Sequence, residues 1–184
     1  MDRNTGLIII DVQKGFDDPS WGRRSNPGAE AAIARLLGEW RADGRPIFHV
    51  QHLSRRASSP LHPSHPGVAI KDEVKPLAGE TVITKHVNSA FIGTDLEERL
   101  RRAGIKTVVL TGLCTDHCVS TTTRMAANLG FAAIVPADAA ATFDRTGFDG
   151  TVYAAEEIHR TALASLHGEF ATVVASLTPA AVTA

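Results

Sequence analysis

Only two cysteines, Cys114 and Cys118, occur in 184 residues. Lying four apart, they do not read as a disulfide framework of the secreted type, and they suit a reducing compartment. An excess of either charge is also missing. Nineteen Lys and Arg against twenty Asp and Glu leave a formal net charge of −1, so there is no electrostatic footprint for nucleic acid or an anionic membrane, and neither partner is expected. No apolar run approaches the roughly 18 residues of a membrane-spanning helix, and the amino-terminal MDRNTG has no signal-peptide core. The expectation is a cytoplasmic protein. What remains is ordinary globular usage, 43% hydrophobic and 21% charged, without internal repeats, and its length predicts a single domain over 1–184 with a sizeable core.

The chain alternates strand and helix patterns. Strands are predicted at Leu7–Val12, Pro46–Gln51, Thr81–Thr84, Thr107–Leu110, Phe131–Pro136 and Ala171–Val174. Helical stripes fall between them, one opened by Asn26 as N-cap and another by a capping box of Thr94 with Glu97, and the last running from Thr151 to about Leu166. Such alternation predicts an α/β fold, a three-layer α/β/α arrangement around a six-stranded parallel sheet. The segment from His52 to Glu80 has no clear periodicity and reads as a loop covering a substrate.

The chemistry gathers at strand ends. Leu7–Ile10 runs into Asp11, Thr81–Thr84 into Lys85, and Thr107–Leu110 through Thr111-Gly112 into a helix predicted from about Cys118. Open α/β sheets collect ligands at the carboxyl ends of their strands, so acid, lysine and cysteine could share one edge. A cysteine in a first helical turn is biased toward thiolate by unpaired N–H groups and the helix dipole. The plainer alternatives are a buried inert thiol, a capping aspartate and a solvated lysine.

Three stretches, DVQKGF at Asp11–Phe16, TKHVNSAF at Thr84–Phe91 and TGLCTDHCV at Thr111–Val119, resemble the isochorismatase-like cysteine hydrolases, which include nicotinamidases, carbamoylsarcosine amidases, ureidoacrylate hydrolases and streptothricin hydrolases. The resemblance runs from about Leu7 to Val174 and implies the strand order 3-2-1-4-5-6. It also implies a catalytic triad of Asp11, Lys85 and Cys118, a cis Leu113–Cys114 peptide, and an oxyanion hole from the backbone amides of Cys114 and Cys118. The implied activity is hydrolysis of a C–N bond, in an amide, lactam or ureido substrate, through a thioester. Vinyl-ether hydrolysis of the isochorismate type and a non-catalytic binding module are the alternatives.

Nicotinamidases in that family add a metal held by an Asp-x-His pair after the second strand. Here the stretch reads Val50-Gln51-His52 and the aspartate is missing, while His62 and His65 supply two imidazoles and no third ligand, so neither metal nor other cofactor is expected. Phe16, Trp21, Phe91 and His117 are the candidate substrate-binding residues, with Phe143 a further candidate wall. A small-molecule amide is the expected partner. A homo-oligomer, dimer or tetramer, is also expected, because the Cys118 helix and the last helix carry apolar residues on more than one face.

Overall fold

The structure, a computed structural model, describes residues 4–177. Strand β1 is Thr5–Ile10, all six residues buried, as a parallel strand covered on both faces must be. Helix α1, Ala29–Ala42, buries Ala29, Ile33, Leu36, Leu37 and Trp40 at helical spacing. There follow β2 (Ile47–His52), β3 (Thr81–Lys85), α2 (Leu96–Arg102), β4 (Thr107–Leu113), α3 (Ser120–Asn128) and β5 (Ala132–Pro136). Three two-residue strands, β6 (Ala140–Ala141), β7 (Arg145–Thr146) and β8 (Val152–Tyr153), precede α4 (Ala155–Leu166) and β9 (Thr172–Val174).

The parallel sheet has the order β3-β2-β1-β4-β5-β9, with β6 added beside β4 and β7-β8 forming a separate antiparallel pair. This is the expected order, its last strand numbered nine because the three short strands intervene. The alternation along β1 builds the layers. Ile8 and Ile10 pack with Leu96, Leu100, Val119 and Leu166 from α2, the turn before α3, and α4. Leu7 and Ile9 pack with Ile33, Leu36, Leu37 and Trp40 of α1 on the opposite face.

Local reading fails where a tertiary partner captures the capping group. The first helix opens at Ala29 rather than after Asn26, which sits at φ 43° and donates its side-chain amide to the carbonyls of Asp138 and Ala140, each at 2.8 Å. Thr94 makes no capping box: its hydroxyl donates to Ala90 O at 2.5 Å, α2 begins at Leu96, and Glu97 pairs with Arg101. The last helix starts four residues late, because Val152 and Tyr153 pair with β7.

The long loop is anchored. Its Gly67 lies so close to Gly15 that a Cβ there would come within 2.7 Å of the Gly15 Cα. Its buried Lys71 reaches Asp17 at 2.5 Å and Glu30 at 2.8 Å. Along the Cys118 helix and the last helix, Val119, Ala126 and Leu163 are buried, Met125, Ala127, Leu129, Tyr153, Ile158 and Ala162 are half-buried, and Ala154 is exposed. Large exposed apolar side chains lie along β3 and its flanks, at Leu77, Val82, Val87 and Ile92, and around the β7-β8 pair, at Phe148 and Val152.

Candidate active site

Strands β1, β2, β3 and β4 end at one edge of the sheet, and each delivers a functional group there. Asp11 follows β1 at a φ of 54° and is wholly buried. Lys85 closes β3 two residues beyond the level of Ile10, through the register Ile10 to Val50 to Ile83. Two strand spacings, about 9–10 Å, separate β3 from β1, and the lysine stem spans them by crossing the end of β2. Its Nζ donates to Asp11 Oδ2 at 2.6 Å and to Val87 O at 3.1 Å, lies 3.3 Å from Cys118 Sγ, and meets His52 Nδ1 at 3.1 Å.

Gly112 makes this edge possible. It sits at φ 120° beside β1, and a Cβ on it would come within 2.0 Å of Ile10 O, so any side chain would force β1 and β4 apart just before Asp11 and Cys118 leave them. Gly112→Ala is expected to destabilise the fold by about 3 kcal/mol or more, read as a large fall in Tm. A variant melting within a degree or two of the parent would refute this account of the edge.

Cys118 lies in a π-helical turn, Thr115–Val119, whose Val119 N–H reaches back to Cys114 O at 3.1 Å. The Leu113–Cys114 peptide is cis. The helical winding begins three residues earlier than the sequence suggests, which takes Cys118 from the opening residue to the fourth. Burial is the larger influence there, and with the neighbouring Asp11 it raises the thiol well above its ordinary pKa against the opposing pull of Lys85. The thiolate bias expected from the helix start is therefore overridden, and the resting sulfur is a thiol. Burial also raises the Asp11 carboxyl, with Lys85 opposing the rise. Asp11 Oδ1 is buried without a hydrogen-bond partner among the described residues, and a carboxylate oxygen of Asp11 lies within 4.8 Å of the Cys118 sulfur.

Sequence reasoning passed over His52. It ends β2, so the strand-end argument that selected Asp11 and Lys85 also points to it. Burial and then the Lys85 charge push its imidazole down to about 4, leaving a neutral ring whose Nδ1 accepts from Lys85. Gln13, 0% exposed, holds this residue in place: its amide donates to His52 O at 3.0 Å and Val68 O at 2.8 Å, and its oxygen accepts from His52 N–H at 2.8 Å.

Ligand atoms of Asp11, His52 and Cys118 lie within 4.8 Å of one another, which raises the question of a metal. The donor set does not fit one, because the Lys85 ammonium already contacts all three and a divalent ion would be placed against it. His62 and His65 are occupied locally, His62 Nδ1 with Ser64 Oγ at 2.7 Å and His65 Nδ1 accepting from Gly67 N–H at 3.0 Å.

A cavity of about 120 Å³ opens over the cysteine, with Asp11, His52, Cys114, Cys118 and His117 at its chemical end and Phe16, Trp21, Leu61 and Asn88 around it. Phe16 and Trp21 form one wall, ring centroids 5.0 Å apart. Phe143 backs them, 5.5 Å from Trp21, and does not face the cavity. Phe91 is not in the lining: it stacks on Phe131 at 6.2 Å in the layer beneath α2 and α3. Leu61, from the long loop, and Asn88 were not singled out from sequence, although Asn88 lies within the quoted TKHVNSAF stretch.

Behind the cavity, Asp116 is held by Thr142, by Arg145 at 2.8 and 3.2 Å and by His117 at 3.3 Å. Burial would raise its carboxyl, but these donors outweigh burial and lower it. A wider groove of about 750 Å³ lies at the amino ends of β2 and β3. Its Arg41, Arg99 and Arg102 are paired with Glu80, Asp95 and Glu98, and no cysteine, serine or histidine lines it, so the smaller cavity is the chemical one.

The chain matches the isochorismatase domain over residues 5–177. It is 51% identical over 174 residues to the isochorismatase family protein YrdC of Bacillus subtilis, covering 95% of this chain and 93% of that one. A crystal structure of a hydrolase of the isochorismatase family from Chromobacterium violaceum superposes with a TM-score of 0.91 at 47% identity, covering 94% of this chain and 90% of the other. The maleamate amidohydrolase of Pseudomonas putida is 31% identical, over 72% of this chain and 70% of its own length.

Proposed function

As the chain belongs to the isochorismatase family of hydrolases, we propose that it is a cysteine amidohydrolase that cleaves a C–N bond of a small molecule through a thioester. The observation that carries this reading is the contact of Lys85 Nζ with both Asp11 Oδ2 and Cys118 Sγ, at 2.6 and 3.3 Å, where Asp11 and Cys118 line the cavity. A relative named as an amidohydrolase supports the bond type.

The raised thiol sets the order of events. Because the resting sulfur holds its proton, attack on the carbonyl carbon requires that proton to pass to Asp11 as the C–S bond forms, with Oδ1 as the vacant acceptor. Lys85 keeps the carboxylate ionised enough to accept it and stabilises negative charge on sulfur as it develops. The carbonyl oxygen takes up the charge of the tetrahedral intermediate, and the Cys114 and Cys118 backbone amides are the proposed donors to it. Asp11 then returns its proton to the nitrogen as the C–N bond breaks. The amine leaves and a thioester remains on Cys118. Water, giving a proton to Asp11, attacks the thioester, and the acid product departs as that proton returns to sulfur.

Mixing the protein with an activated amide and quenching early should show, by intact mass, one acyl group attached at Cys118. Turnover should persist after exhaustive EDTA treatment, since Lys85 holds the position a metal would need. Absence of any acyl adduct during active turnover, or a chelator-dependent loss restored by zinc, would overturn the mechanism.

A further inference from the structure

We propose that the cavity selects uncharged amides and rejects anionic ones, so that the substrate class is a small neutral carboxamide or ureide whose polar far end is held by Asn88. This deepens the amidohydrolase reading and rests on it. The two full charges at the cavity, Asp11 and Lys85, are consumed by each other at 2.6 Å. The imidazoles supply none: His52 is pushed down to about 4 by burial and Lys85, and His117 is likewise lowered, chiefly by burial. The Arg145 guanidinium, which also meets His117 Nδ1 at 3.4 Å, is paired with Asp116 at 2.8 and 3.2 Å. A substrate carboxylate would therefore give up part of its water without gaining an unpaired cation.

The rest of the lining points the same way. Phe16, Trp21 and Leu61 are apolar toward the cavity, and the Trp21 indole N–H is already donated to Gly15 O at 2.9 Å. Asn88 makes no hydrogen bond among the described residues. Its side-chain amide offers one acceptor and two donors, which matches a neutral amide or ureide group. At about 120 Å³ the space lies below the roughly 300–1,000 Å³ of sites for drug-sized ligands, so the substrate is compact.

Succinamide and succinamate have the same carbon skeleton and the same number of heavy atoms, and differ only in a neutral amide against a carboxylate at the far end. Ammonia release should give a kcat/KM for succinamide at least about tenfold above that for succinamate, the discrimination expected when a partly desolvated charge lacks a partner. Asn88→Arg, at an exposed position that tolerates a long side chain, should narrow that ratio by about tenfold. Equal or better turnover of succinamate would overturn the charge selection while leaving the hydrolase reading intact. An unchanged ratio in Asn88→Arg would remove Asn88 from the proposal. If neither compound is hydrolysed, calorimetric binding of both to Cys118→Ala still decides: tighter binding of succinamide supports the selection, and equal or tighter binding of succinamate ends it.

Discussion

Cys118→Ala is expected to lower amide turnover by about 10⁴-fold or more, because removal of a covalent nucleophile disables the groups that serve it. The side chain is small and its sulfur faces the cavity, so the variant should keep its fold and bind amides, with a circular dichroism spectrum and Tm close to the parent. Cys114→Ser is the control. Lys85 contacts the Cys118 sulfur, whereas the proposed contribution of Cys114 is a backbone amide, so activity should stay within about tenfold of the parent. Cys118→Ala turning over amides within tenfold of the parent would remove the nucleophile assignment. Loss in both variants alike would shift it to the structure of the turn.

Lys85→Met and Asp11→Asn should each abolish measurable turnover and each destabilise the protein by about 3–5 kcal/mol, since removing one partner strands the other charge in a fully buried site. The double variant Asp11→Asn/Lys85→Met should recover most of that stability while remaining inactive, because it removes both desolvated charges at once. The pH dependence follows from the raised Asp11 carboxyl. A folded-state pKa above the ordinary 3.8 means that Asp11 contributes stability while protonated, below the ordinary carboxylate range. That contribution is lost as pH rises through the raised value. In Lys85→Met the opposing lysine is gone, so the rise is larger and the stability deficit against the parent should grow from acid toward neutral pH. Denaturant titrations of the four proteins would check both statements. A double variant no more stable than the weaker single would show that the ion pair is not the main term.

The separation of active and stable variants bears on how the site is supported. Gln13 clamps the backbone of His52 and the loop carbonyl of Val68, and Lys71 joins that loop to Asp17 and Glu30. Arg24 grips Glu30 at 2.5 Å and, although burial opposes it, with Lys71 lowers that carboxyl to about 2. These contacts hold the Phe16–Trp21 wall and Leu61 over the cysteine, away from the reacting atoms themselves. They couple the cavity's shape to the loop that covers it.

The sequence by itself determined the strand and helix alternation, the apolar stripe of α1, and the three charged or nucleophilic strand ends. Each follows from residue type and periodicity within a few positions of the chain. The strand order and the cis peptide follow from resemblance to a family, and the structure has both. Tertiary structure alone decided the rest, for reasons of distance and burial. Asn26 and Thr94 have the chemistry of caps, yet carbonyls more than 100 residues away or on a preceding turn claim them. Phe91 has the chemistry of a pocket wall, yet Phe131 stacks on it. Its place at a helix start biases Cys118 toward thiolate, a local effect. Burial beside Asp11 reverses that reading, because desolvation and a neighbouring carboxylate are set by which strands meet, and only the folded sheet brings β1, β3 and β4 to one edge.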